Sequence, residues 1–170
     1  MGRYQTVVYG YVARMLGDHD QADDATQEAF IAAHGAMAGF RGEHFKSWLL
    51  RIAHNKALDL IRANRRRATD SLDAEDAPEP PASNTYSPEA WAERAGLGEL
   101  LRAALAELPE DQRAAVLLRE SEGLSYAEIA QVMRIDLGTV KSRIARGRAG
   151  LRTYLVARRE LLPTDLRLEK

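Results

Sequence analysis

The sequence predicts an all-α protein: two small helical domains joined by a flexible acidic linker, the second containing a helix-turn-helix. Three observations carry that expectation. Apolar residues recur at helical spacing and nowhere alternate with period two for long enough to suggest a sheet. Residues 68–90 hold four of the six prolines and no Lys or Arg, so they cannot bury enough apolar surface to offset ordering their backbone. Near the end of the chain a short helical pattern and a longer one are separated by only a few residues. The expected division is 1–67 for the first domain, 68–95 for the linker, 96–157 for the second domain and 158–170 for a tail.

In chain order, residues 4–16 place Val8, Tyr11, Val12, Met15 and Leu16 on one helical face. Residues 20–37 repeat the pattern with Ala22, Ala25, Ala29, Phe30 and Ala33 after an acidic first turn, which suits the positive end of the helix dipole. "GFRGEHF", with two glycines, reads as a loop. A helix over 47–67 follows, with Trp48, Leu49, Ile52, Ala53, Leu60 and Ile61 on one side and Arg51, Asn55, Lys56, Arg62, Arg65, Arg66 and Arg67 largely elsewhere.

After the linker, Ser87-Pro88-Glu89 is an N-cap followed by proline at the first helical position, opening a helix to about residue 108 that Gly96 and Gly98 weaken. Pro109 starts the next, which ends near Gly123, a residue suited to a left-handed C-cap. Ser125 and Glu128 form a capping-box pair for a short helix to about Met133. The turn "RID" leads into the last helix.

Composition narrows the function classes. No apolar run approaches the roughly 18 residues that span a bilayer, and the N-terminal residues lack a basic segment followed by an apolar block, so no membrane insertion and a cytoplasmic location are expected. The absence of cysteine excludes disulfides, thiol catalysis and the commonest structural zinc sites. His19, His34, His44 and His54 show no close pair at ligand spacing, so no metal site or cofactor is expected. Charge is unevenly placed: residues 1–40 sum to -3, 41–67 to +6, 68–110 to -8 and 111–170 to +4. Two basic blocks flank an acidic one, as suits a chain that meets polyanions at two places while its net charge stays near zero.

The stretch "GTVKSRIARGRAGLR" carries five cationic side chains, and no carboxylate occurs between Asp136 and Glu160. Solvating helix faces normally mix signs. Val140, Ile144, Gly147 and Leu151 make one packing stripe, which leaves the rest of the helix cationic. In a helix-turn-helix the second helix enters the major groove, its N-terminal residues reaching base edges and the rest gripping phosphate. Thr139, Lys141, Ser142 and Arg143 are placed for bases; Arg146, Arg148 and Arg152 for phosphates.

The stretch "LPEDQRAAVLLRESEGLSYAEIAQVMRIDLGTVKSRIARGRAGLR" resembles region four of the bacterial extracytoplasmic-function sigma factors, and "DDATQEAF…GFRGEHFKSWLLRIAHNKALDLIRANRRR" resembles their region two. The resemblance implies a non-catalytic specificity subunit of RNA polymerase. It implies that region four reads the minus-thirty-five element through Ser125, Tyr126, Lys141, Ser142, Arg143, Arg146 and Arg148. It also implies that region two recognises and opens the minus-ten element. There the loop from Phe40 to Lys46 would hold a flipped base and Asn55 would contact the opened strand, while Phe45 and Trp48 add rings and Arg41, Arg51, His54 and Lys56 a cationic track. Asp24, Gln27, Glu28, Phe30 and His34 fall on the face that would dock on the clamp helices of the polymerase largest subunit, with region four on the flap. An anti-sigma factor is the implied regulator. The linker is either an inert tether or an acidic strand in the polymerase's RNA path.

Two rival readings are a free-standing helix-turn-helix regulator of duplex DNA and a metal-dependent enzyme at Asp23, Asp24 and Glu28. Two residues depart from the family pattern. Arg134 stands where a turn glycine is usual, which predicts a somewhat altered turn, and Asp136 stands where proline is frequent, which predicts a less rigid approach to the last helix.

Overall fold

The computed structural model describes residues 2–42, 44–70, 88–158 and 160. The described elements are helical: α1 (Gly2–Leu16), α2 (His19–Ala36) with a 3-10 turn Met37–Gly39, α3 (Phe45–Asp70), α4 (Pro88–Ala106), α5 (Glu110–Val116) continued by a π turn Leu117–Ser121, α6 (Tyr126–Met133) and α7 (Leu137–Ala157). The part of the expected linker at 71–87 and most of the expected tail lie outside the described residues. Helix α3 begins two residues before the expected start and runs past the boundary at 67, because its arginine-rich end has no breaker until the acidic segment.

Helices α1, α2 and α3 form the first set. Val8, Tyr11, Val12 and Met15 of α1 are fully buried. Ala22, Ala25, Ala29 and Ala33 of α2 face Leu49, Leu50, Ala53 and Ala57 of α3 in the same core, and small side chains let these backbones approach closely. Helix α2 opens on Asp18, whose carboxylate accepts from the Gln21 amide at 2.9 Å and satisfies one of the donors a helix start leaves free.

The second set is not tethered at a distance; it packs directly on the first. Ala114, Ala115, Val116, Leu117 and Leu118 are buried in succession. Five successive helical residues point to every side, so an apolar run of that length must be covered all round, and this one lies between its own set and α1, inside one continuous core. Arg113 ties the sets together. Its guanidinium donates to the Met15 carbonyl at the end of α1 at 2.7 Å, and to the Ala106 and Leu108 carbonyls after α4 at 2.9 and 3.1 Å. One cation thereby satisfies free carbonyls at two helix C-termini.

The helix-turn-helix has its ordinary turn despite Arg134. That residue adopts φ 54 and ψ 50, the left-handed region, at a cost of about 1 kcal/mol for a side chain with a Cβ. The amides of the turn still close onto helix α6, that of Ile135 reaching the Ala130 carbonyl at 3.1 Å. Asp136 does not loosen the approach to α7. It caps it, accepting from the Thr139 amide at 2.8 Å and the Thr139 hydroxyl at 2.6 Å.

Candidate nucleic-acid interface

Helix α7 presents four of its five central cations outward, while Arg143 is half-buried. Val140, Ile144 and Gly147 are buried, while Lys141, Arg146, Arg148 and Arg152 are exposed. Lys141, Arg146 and Arg152 have no ion-pair partner among the described residues. Arg148 donates from Nε to Glu120 at 3.0 Å, and Arg143 is held by Asp111 at 3.0 Å. Thr139 and Ser142 are half-buried, the first spent on the Asp136 cap and the second donating to the Thr139 carbonyl at 3.0 Å.

Helix α6 is fixed by a complete capping box. The Ser125 hydroxyl accepts from the Glu128 amide at 3.2 Å, and the Glu128 carboxylate accepts from the Ser125 amide at 2.8 Å. The Ser125 hydroxyl also donates to the Glu128 carboxylate at 2.7 Å, and this bond first, with that from the Ser125 amide, favours the ionised form and holds the Glu128 carboxyl below its usual range. Tyr126 lies under the Arg119 guanidinium, 5.1 Å from its ring centroid.

In the first set, the loop after α2 brings Phe40 against Trp48 (4.9 Å between centroids) and Phe45 (5.6 Å), with Phe45 also 5.0 Å from Tyr4. The rings meet one another edge-on or tilted, so each is half-buried rather than presented singly. Phe40, Arg41, Trp48 and Arg51 line a cleft of about 420 Å³, closed on its far side by Gln131 and Val132 of α6. Asn55 is exposed on α3. Lys46 and Lys56 are partly exposed and paired, Lys46 with Glu122 at 3.2 Å and Lys56 with Glu28 at 3.0 Å.

His54 does not lie on an open cationic track. It is 3% exposed, its Nδ1 hydrogen-bonded to the Tyr11 hydroxyl at 2.8 Å. Burial, with Arg62 and Arg143 nearby, pushes its pKa down to about 4, so it is neutral near pH 7.

Gln27, Phe30 and His34 of α2 line a groove of about 840 Å³ together with Gln5 and Thr6 of α1. Ile31 stands 66% exposed beside them. Asp24 and Glu28 are exposed on the same helix. Among the described residues no three His, Asp or Glu side chains are gathered as a metal would need, and Asp23, Asp24 and Glu28 form no such group. No described helix is long and apolar enough to cross a membrane.

Two halves with two basic faces match known protein families separately. Residues 1–67 match Sigma-70 region 2 and residues 98–151 match Sigma-70, region 4. The chain is 41% identical over 155 residues to the RNA polymerase sigma-H factor of Pseudomonas aeruginosa, covering 88% of this chain and 80% of that one. It is 40% identical over 155 residues to the ECF RNA polymerase sigma-E factor of Escherichia coli K12, covering 88% and 81%. The chain belongs to the extracytoplasmic-function sigma factors. Among solved structures, it is similar to the sigma factor RpoE in complex with the anti-sigma factor NepR from Bartonella quintana. The TM-score is 0.72 and the identity 27%, over 89% of this chain and 91% of that one.

This sigma factor is therefore an RNA polymerase sigma factor of the extracytoplasmic-function type that directs transcription initiation. Sequence reasoning missed the acids of its second set that meet the cations. Glu110 pairs with Arg65 at 3.0 Å, Asp111 with Arg143, and Glu122 with Lys46. Nothing in their spacing signals this, because each pairing depends on how the two sets dock or on how α5 meets α7.

Proposed function

We propose that this sigma factor is a non-catalytic, cytoplasmic specificity subunit. It docks on core RNA polymerase through Asp24, Gln27, Glu28, Phe30 and His34 on the clamp helices and through its second domain on the flap. Residues 1–67 read and open the minus-ten element, with the Phe40, Phe45 and Trp48 rings beside Arg41, Lys46, Arg51, Asn55 and Lys56. Residues 96–157 read the minus-thirty-five element through Ser125, Tyr126, Thr139, Lys141, Ser142, Arg143, Arg146 and Arg148. An anti-sigma factor is proposed as its regulator, by likeness to the complex of RpoE with NepR. Residues 68–95 serve as the connection between the two reading heads.

The observation that carries this reading is the capped α7 of a helix-turn-helix, apolar on its inner stripe and cationic outside. Its N-terminal side chains supply base contacts, each good bidentate one worth about 1–3 kcal/mol of discrimination, and the later arginines supply salt-sensitive phosphate grip. Arg143→Ala is expected to lower transcription from a minus-thirty-five-dependent promoter about tenfold and to flatten the response to upstream base changes. Unchanged output and unchanged discrimination in reconstituted transcription would remove Arg143 from the reading surface.

A further inference from the structure

The seam between the helical sets holds an acid that neither promoter reading nor polymerase docking uses. Glu122 belongs to the second set, yet its carboxylate is buried against the first. Lys46 Nζ lies 3.2 Å from one oxygen and an Arg14 guanidinium nitrogen 3.8 Å from the other, with the Glu122 side chain 6% exposed. Lys46 Nζ also donates to the Glu122 carbonyl at 2.6 Å.

The backbone is shaped to deliver this residue. The π turn Leu117–Ser121 closes with the Glu122 amide donating to the Leu117 carbonyl at 3.1 Å, and Gly123, at φ 69, turns the chain away immediately after. Such turns insert an extra residue into a helix and recur at functional places. Along the same seam Glu110 meets Arg65 at 3.0 Å and Glu128 lies 3.6 Å from His44. Carboxylates of the second set thus stand where Lys46 and Arg65 of α3 offer cations to a polyanion.

We infer that Glu122 is the keystone of an intramolecular latch: its carboxylate occupies the place at Lys46 that a DNA phosphate would take, holding the two helical sets closed over the minus-ten face. The closure stands on the seam geometry alone; the masking rests on the minus-ten reading proposed above. A carboxylate this buried needs its cation, whereas Lys46, at 35% exposure, keeps access to solvent and can exchange one anion for another. Binding to the open form is then weakened by the fraction of chains that are open.

The chain has no cysteine, so a donor and acceptor dye can be placed at Gly35→Cys and Ala149→Cys, both exposed. Single-molecule energy transfer on the full chain is expected to show one dominant high-transfer population. Glu122→Gln should raise the low-transfer population about tenfold. It should tighten binding of the non-template single strand of a promoter the holoenzyme uses by about the same factor. Lys46→Glu should also open the chain, and combining it with Glu122→Lys should close it again, a recovery that loss of folding cannot imitate. Unchanged transfer in Glu122→Gln overturns the latch. Opening without tighter binding, in a chain whose wild type binds the strand, overturns the masking. Opening with no strand binding by any form, the polymerase complex included, overturns the minus-ten reading and the masking together while upholding the closure.

Discussion

Gly147→Val is expected to destabilise the second helical set by about 3 kcal/mol and to abolish use of the upstream promoter element. A Cβ at position 147 would lie 2.5 Å from Val116 Cγ2 and 3.1 Å from the Gln112 carbonyl oxygen, so both a stiff side chain and the α5 backbone would have to move. Helix α7 packs on α5 through this glycine, and a bulky residue there pushes the recognition helix off its support. Gly150→Ala is the matching control. Its Cβ would meet only the far end of Leu108, at 2.6 Å from Cδ2, and the gain in helix propensity of about 1 kcal/mol offsets that shift. Urea denaturation should therefore separate the two variants clearly. Equal midpoints would show that the α5–α7 contact relaxes at no cost.

Stability should also fall by about 2 kcal/mol between pH 7.5 and pH 5 because of His54. Its folded pKa of about 4 lies below the unfolded value of 6.5, so the unfolded chain binds the proton more tightly. The contribution is complete above the unfolded pKa and is lost as pH drops from there toward the folded one. The cause is structural: the imidazole is buried against Tyr11, and the nearby charges of Arg62 and Arg143 oppose a third cation. The Glu128 capping box adds in the same direction at lower pH, since its depressed pKa means stability is present above the unfolded value and lost on acidification through the folded one. Denaturation of His54→Gln over the same range isolates the histidine. A variant as acid-sensitive as the wild type would assign the loss to other groups.

Much of this molecule was legible because its decisive signals are local. The Ser125 and Glu128 capping box, the proline start at Pro88, the left-handed Gly123 and the apolar stripe of α7 each follow from neighbours a few residues apart. Asp136 was misread for a related reason. In place of a proline it predicts a less rigid approach to the last helix, while its short side chain is a good N-cap for that helix. Arg134 shows that tertiary packing enforces a backbone conformation that residue preference opposes.

What sequence could not carry is the docking of the two sets. The runs of buried residues in α5 and its π turn could have signalled it, since a helix inside one small domain rarely hides every face. The pairings of Arg14, Lys46 and Arg65 with acids more than forty residues away have no periodic trace. The burial of His54 is different: it falls among Leu50, Ala53 and Ala57 on the inner face of α3, so helical spacing carries it even though the residue type does not, and Tyr11 meets it there.

The central claim is that one chain reads a promoter with two heads on behalf of polymerase. Reconstituted transcription with purified core RNA polymerase tests it most directly, read together with permanganate reactivity of the opened strand. The wild-type chain should co-elute with core enzyme on gel filtration, start transcripts at a discrete site and open the minus-ten region. Asn55→Ala should retain polymerase binding and lose about tenfold in strand opening, the measure of a contact made only to unstacked bases. Failure of the wild-type chain to bind core enzyme, alongside tight binding to duplex DNA alone, would contradict that claim and favour a free-standing regulator.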